Sequence, residues 1–252
     1  SPKVYGDFVQ RLFAGGMILE IFGLLIIPNH LFLGLGIFLT GCGLYATSIN
    51  AIMIQRYEPS DDRRELASFW LYSGMNLGFF IGHTVSGYFH LKDDYKSLFA
   101  SAALTSVFSL ILMLLNWRNL ADRTTEYAGF DASIQSRRLK IALILSMILI
   151  PLVIGSLSYE SASSNLVMLV GIGMILAVFR LAMKQPKVSD KKKMFAFLIL
   201  VLAGIAFWSL FFIGPMGLTL FITNHVNTHL FGVAIPPQWF NNINTSIIVI
   251  GG

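Results

Sequence analysis

LASFWLYSGMNLGFFIGHTVSGYFHL, residues Leu66 to Leu91, contains no Lys, Arg, Asp or Glu. About 20 apolar residues suffice to cross a bilayer as a helix, and this stretch is longer. On a helix of 3.6 residues per turn its side chains separate into two faces. Tyr72, Asn76, Phe79 and His83 fall on one side. Gly74, Gly78 and Gly82 fall roughly opposite, as two overlapping G-x-x-x-G patterns that let a neighbouring helix come close in lipid. One face is thus expected to pack. The other offers a phenol, an amide and an imidazole to something polar, or to simple interhelical hydrogen bonds.

The rest of the chain shares this character. Hydrophobic residues make up 55% and charged residues 12%, and the mean hydropathy is +0.70. Soluble domains carry roughly 25% charged residues, so the chain reads as an integral all-α membrane protein. The apolar segments are too many and too long for signal peptides. Because the chain starts at Ser1 and stops at Gly252 inside an apolar run, it is expected to be part of a longer protein. Cys42 stands alone in an apolar run and reads as a small buried hydrophobe.

Apolar runs mark the crossings. Leu12–Ile27 is uncharged but for Glu20 and ends at Pro28-Asn29-His30. Leu31–Ile54, with Gly34, Gly36, Gly41 and Gly43, follows as a thin helix. After the charged loop RYEPSDDRRE comes the stretch quoted above. Ser97–Trp117, Ile141–Tyr159 and Ser161–Phe179 are further uncharged runs, and everything from Met194 on lacks formal charge. Pro236-Pro237 splits this last part into a long helix and the start of another. The pattern predicts seven spans and part of an eighth.

If Ser1 is cytoplasmic, every Lys and Arg falls on the inner side except Lys92 and Lys96. That satisfies the positive-inside rule with no helix left over. The net charge of +5 therefore reflects membrane topology, and nucleic acid is not expected as a partner.

Few residues offer chemistry. Glu20 lies well inside an apolar run, and Gly16 and Gly23 at i−4 and i+3 place it on a small-residue face turned to another helix. Burial disfavours its charged form, which makes it a candidate proton carrier; a packed, hydrogen-bonded carboxyl is the plainer reading. His83 is a second candidate, because imidazole titrates near neutral pH, although a lone histidine on a membrane helix also serves as an interhelical donor. Gly214-Pro215-Met216-Gly217 interrupts the long helix and predicts a kink or hinge, with Gly214, Pro215 and Gly217 as its parts. His225 and His229 make a weak zinc pair with no acid beyond them. With no metal-ligand spacing, phosphate loop or nucleophile elbow, the chain is expected to be no enzyme and to need no cofactor or metal.

Two stretches resemble the proton-dependent oligopeptide transporter family of the major facilitator superfamily. One is Gly41-Cys-Gly-Leu-Tyr45, then YEPSDDRRE, then LYSGMNLGFFIG. The other runs from Phe207 through LTLFITNHVN to Ile235-Pro-Pro-Gln-Trp-Phe-Asn-Asn-Ile-Asn244. The resemblance implies a facilitator helical bundle. Residues 1–117 would be helices three to six of the N-terminal half. Residues 118–193 would be a cytoplasmic loop with an inserted helix pair, and 194–252 helix seven and the start of helix eight. It also implies alternating-access symport of di- or tripeptides with protons, in a bacterial inner membrane. Tyr72, Asn76, Trp208 and Asn244 match the family's substrate-site positions.

Two departures cut against a simple transfer. The family's fourth-helix Lys falls on Ala46, and its helix-seven Glu falls on Phe212. These departures imply altered coupling or an altered substrate, with Glu20 as a candidate for a relocated proton site. They leave two rivals: a transporter of the same fold for another small solute, and a receptor or scaffold that no longer transports.

Overall fold

A computed structural model describes residues 8–58, 60–121, 132–230 and 232–251. Seven long helices carry the fold: α1 (Phe8–Ile26), α2 (Leu31–Ile54), α3 (Arg63–His90), α4 (Tyr95–Leu115), α5 (Ala132–Ser158), α6 (Glu160–Met183) and α7 (Val188–Ile213). A π-helical turn (Gly214–Leu218) leads into the short α8 (Thr219–His225). A two-stranded hairpin, β1 (His229–Leu230) and β2 (Val233–Ala234), and a 3-10 turn (Pro237–Phe240) precede α9 (Asn241–Gly251). Among the described residues, six segments are long and apolar enough to cross a membrane, one of them running from α7 through α8. α3 has the length, at 28 residues, but its Ser, Asn, His and Gly content leaves it more polar than the other six.

Each expected apolar run is helical, six segments against the seven expected are apolar enough to span, and several helices start earlier than their runs. α5 begins at Ala132 and carries Arg137, Arg138 and Lys140 as helix, where the uncharged run alone starts at residue 141. Polar residues outside the hydrocarbon layer keep helical hydrogen bonding, so apolarity marks the span and not the helix. The Ser1 end and Arg123, both used to argue orientation, lie outside the described residues.

By contacts the chain divides into two compact units. One holds residues 1–78 and 92–158, the other 79–91 and 159–251, so that α3 contributes to both. In the first, α1 is the central rod, packed on α2, α4 and, more lightly, α5. Val9, Phe13 and Met17 of α1 close against Ile52 of α2 and Met113 of α4. A second cluster joins Leu24 and Ile27 to Ala103. Glycine sets the approach of α1 to α2: a Cβ on Gly41 would lie 2.5 Å from the Glu20 nitrogen, and one on Gly23 2.5 Å from the Phe38 nitrogen. Close backbones are how helices gain dispersion energy in lipid, where no hydrophobic drive separates helix from solvent. Hydroxyls on these helices bond their own backbone, as Thr40 does to the Gly36 carbonyl at 2.8 Å. Gln10, fully buried, donates to the Trp117 carbonyl.

In the second unit α6 packs on α7, with Phe179 edge-on to Phe195 at 5.7 Å. The hairpin between α8 and α9 pairs His229 with Ala234 and Leu230 with Val233. Gly232 turns it at φ 80°, a left-handed conformation that suits glycine.

Outside the spans, Asp94 caps α4 by accepting from the Ser97 N–H at 3.1 Å. That bond, with Lys92 and Lys96 nearby, holds its carboxyl below the usual carboxylate range. The cap is thus in place at neutral pH and is lost as pH falls through that lowered value.

Candidate functional site

The two faces expected of α3 fare differently. A Cβ at Gly74, Gly78 or Gly82 meets nothing within 4 Å among the described residues, so these residues do not supply the neighbour expected on the glycine face. Glycine spacing shows that a face is thin; it does not supply the neighbour. The close approach occurs instead at Gly87, where a Cβ would lie 2.2 Å from Trp239 Nε1 and 2.8 Å from Pro236 Cγ.

On the polar face in the first unit, Tyr72 is 42% exposed and Asn76 only 3%. Asn76 Nδ2 donates to the Tyr72 carbonyl at 2.9 Å, one turn back, so this amide satisfies part of its need within its own helix. Glu20 looks elsewhere. Ser106 of α4 donates its hydroxyl to Glu20 Oε1 at 3.0 Å, beside the point where Gly41 of α2 meets the α1 backbone. A carboxyl at this depth is costly unless it is neutral or paired, and a single hydroxyl donor suits either protonation state.

In the second unit, Phe79 stacks on His83 at 6.4 Å. Past it, α3 is tied to the start of α9 by groups that sequence reading did not single out. Trp239 Nε1 donates to the Thr84 carbonyl at 3.1 Å, and Asn242 Nδ2 donates to Thr84 Oγ1 at 2.9 Å. Asn244, two residues on and therefore about 200° round the helix, is exposed. The run Trp239-Phe-Asn-Asn held the signal, but a run of asparagines does not say which one faces inward.

Trp208 on α7 sits in a ladder of rings. It meets Phe211 edge-on at 5.3 Å and stacks on Phe212 at 5.8 Å, while remaining 47% exposed. Phe212, where the resemblance places a Glu, thus presents a ring to the tryptophan. Ala46 is exposed and offers no charge.

The Gly-Pro-Met-Gly segment does not break the helix; it widens it to a π-turn, a device frequent at functional positions. Thr219 closes that turn, donating to the Pro215 carbonyl at 2.6 Å. The same hydroxyl accepts from Asn241 Nδ2 at 3.1 Å, so the turn is fastened to α9.

No group of three or more His, Cys, Asp or Glu positioned for a metal occurs among the described residues. Were Glu20 a proton site of a transporter, as the resemblance implies, Glu20→Gln would flatten the dependence of uptake on pH while leaving the fold intact. Uptake measured from about pH 5 to 8 checks this, and an unchanged profile would dismiss Glu20 as a proton site.

A model of the POT family, PTR2, matches residues 11–252. A peptide transporter of Yersinia enterocolitica is 24% identical, over 87% of this chain and 45% of its own. Dipeptide and tripeptide permease B of Photorhabdus asymbiotica is 26% identical, over 88% of this chain and 45% of its own. The chain therefore spans about half the length of the curated relatives it matches. A crystal structure of a peptide transporter POT in complex with sulfate shares the fold, with a TM-score of 0.74 at 23% identity, covering 98% of this chain and 53% of that one. Another, with alafosfalin, also gives 0.74 at 23% identity, over 98% and 52%.

Proposed function

Since the chain belongs to the POT family, over residues 11–252, we propose that the whole protein carries di- or tripeptides across a membrane by alternating access. It is an integral, multi-pass membrane protein of the all-α facilitator type. The observation that carries the substrate reading is the match to dipeptide and tripeptide permeases along nearly nine-tenths of the chain. In this reading residues 1–117 belong to the N-terminal bundle, 118–193 form the loop and inserted pair, and 194–252 open the C-terminal bundle. The membrane is a bacterial inner membrane, with the Ser1 side cytoplasmic.

Tyr72, Asn76, Trp208 and Asn244 line the peptide site in this proposal. An uncharged wall suits a zwitterion whose termini are met by dipoles and rings, with less charge-assisted bonding than a Lys would give. Proton coupling then rests on Glu20, with His83 as the alternative. Gly214, Pro215 and Gly217 are the hinge. The π-turn supports that role, because the backbone there already departs from α geometry.

The intact protein in liposomes should take up a labelled dipeptide under an inward pH gradient, with unlabelled di- and tripeptides competing. Trp208→Ala should lower uptake efficiency by about tenfold or more, the equivalent of ~1.4 kcal/mol of lost binding. A second reading, the same fold serving another small solute, is favoured by Ala46 and by Phe212 stacked on Trp208. Uptake of a non-peptide solute that dipeptides do not compete with would select it. Absence of any flux would favour the receptor reading.

A further inference from the structure

α5 lies across α1 and α2, and beside its crossing with α1 an apolar groove of about 230 Å³ opens. Gly15 and Ile18 of α1 face Leu143, Met147 and Ile150 of α5 across it. Gly15 makes the room: a Cβ built there meets nothing within 4 Å. Ile18, Leu143 and Met147 are exposed, with Met147 at 70%. The groove is therefore open along its side and greasy along its length, a shape suited to a flexible chain more than to a compact polar solute.

Its chemistry changes at one end. Arg11 of α1 lines the groove there, level with Leu139 of α5. At the same end α5 carries Arg137, Arg138 and Lys140, all exposed, just before its uncharged run begins at Ile141. Two helices thus bring their cations to a single level, where hydrocarbon gives way to headgroups. Basic groups set between membrane helices at such a level recognise anionic lipid heads, and an apolar groove below them takes the tail.

We propose that this groove seats an anionic glycerophospholipid. One acyl chain lies along Gly15, Ile18, Leu143 and Met147, and the phosphate sits at Arg11 within the field of the α5 cations. Charge complementarity selects the occupant: a zwitterionic lipid offers the same tail but no net charge to this cluster. The seat fastens α5, the first helix after the long polar loop, to α1. It does not depend on what the protein transports.

The test uses the intact protein, delipidated and then presented with equal amounts of phosphatidylglycerol and phosphatidylcholine. Retained lipid is read by native mass spectrometry. Phosphatidylglycerol should be retained about fivefold or more over phosphatidylcholine, and Arg11→Ala should reduce that preference by about fivefold. Arg11→Lys should keep most of it. Gly15→Leu should remove retention, because the new side chain enters the groove without striking the protein. Met147→Trp, filling the groove from α5, gives a second route if Gly15→Leu does not yield a folded protein. Equal retention of the two lipids would overturn the proposal. So would unchanged phosphatidylglycerol retention in Arg11→Ala and in the groove-filling variants, or a change of oligomeric state in those variants without loss of lipid.

Discussion

Gly41→Ala should sharply destabilise the first unit, while Gly43→Ala, two residues along the same helix, should be tolerated. The added methyl on residue 41 would sit 2.5 Å from the Glu20 nitrogen and 2.6 Å from the Gly16 carbonyl oxygen. Both are backbone atoms and no rotamer change removes them, so α1 and α2 must part. Overpacking of this kind costs about 1–3 kcal/mol or more, and here it also loosens Val9, Phe13 and Met17 from Ile52. At residue 43 the methyl meets nothing within 4 Å. Alanine is also the better helix former by roughly 1 kcal/mol in soluble hosts, so that variant should be neutral or slightly firmer. Thermal denaturation in detergent, followed by monodispersity on a sizing column, compares the two. Equal melting would mean that the α1–α2 approach is not as tight as described.

If the protein transports as proposed, Gly87→Ala should abolish most of that transport without unfolding the first unit. Its methyl would occupy the place of the Trp239 indole, at 2.2 Å from Nε1 and 2.4 Å from Cδ1. Trp239 is 36% exposed and can swing outward, but only by giving up its bond to the Thr84 carbonyl. The neighbouring Asn242–Thr84 bond then loses its alignment. Each such bond is worth about 1 kcal/mol, so the variant folds, with α3 and the start of α9 no longer held in register. Dipeptide flux should fall by about tenfold or more, taking the lost register as ~1.4 kcal/mol or more. Gly82→Ala, whose methyl meets nothing within 4 Å, is the matched control. Wild-type flux in Gly87→Ala would show that this junction is not used in the transport cycle.

These two positions also show what was legible in the sequence. Hydrophobic runs located the long helices, and α2 came out as Leu31–Ile54 because the turn Pro28-Asn29-His30 and the charged loop from Arg56 bound its apolar run. The same glycine signal met a neighbour at Gly41 but met none among the described residues at Gly74, Gly78 and Gly82, since small residues create a vacancy whose occupant lies far away in sequence. Glu20 was placed on the correct face from Gly16 and Gly23, yet its partner Ser106 is 86 residues away and belongs to no local pattern. Trp239, Thr84 and Asn242 were missed for the same reason. Each is an ordinary residue for its element, and only the meeting of α3 with α9 gives it a role. The helix interruption at Pro215 was visible, but proline and glycine signal a departure from α geometry without fixing its form.

That form has a mechanical corollary. A π-turn accommodates a residue beyond the α-helical count, and removing that surplus would rotate everything downstream by about 100°. Thr219 stands just past the turn and holds both Pro215 and Asn241 with one oxygen. Unless α9 turned with it, rewinding residues 214–218 would carry this oxygen round the axis and away from the asparagine. α8 and the first turn of α9 are consequently geared to one another, so that a change of pitch in one is felt by the other as a lost grip.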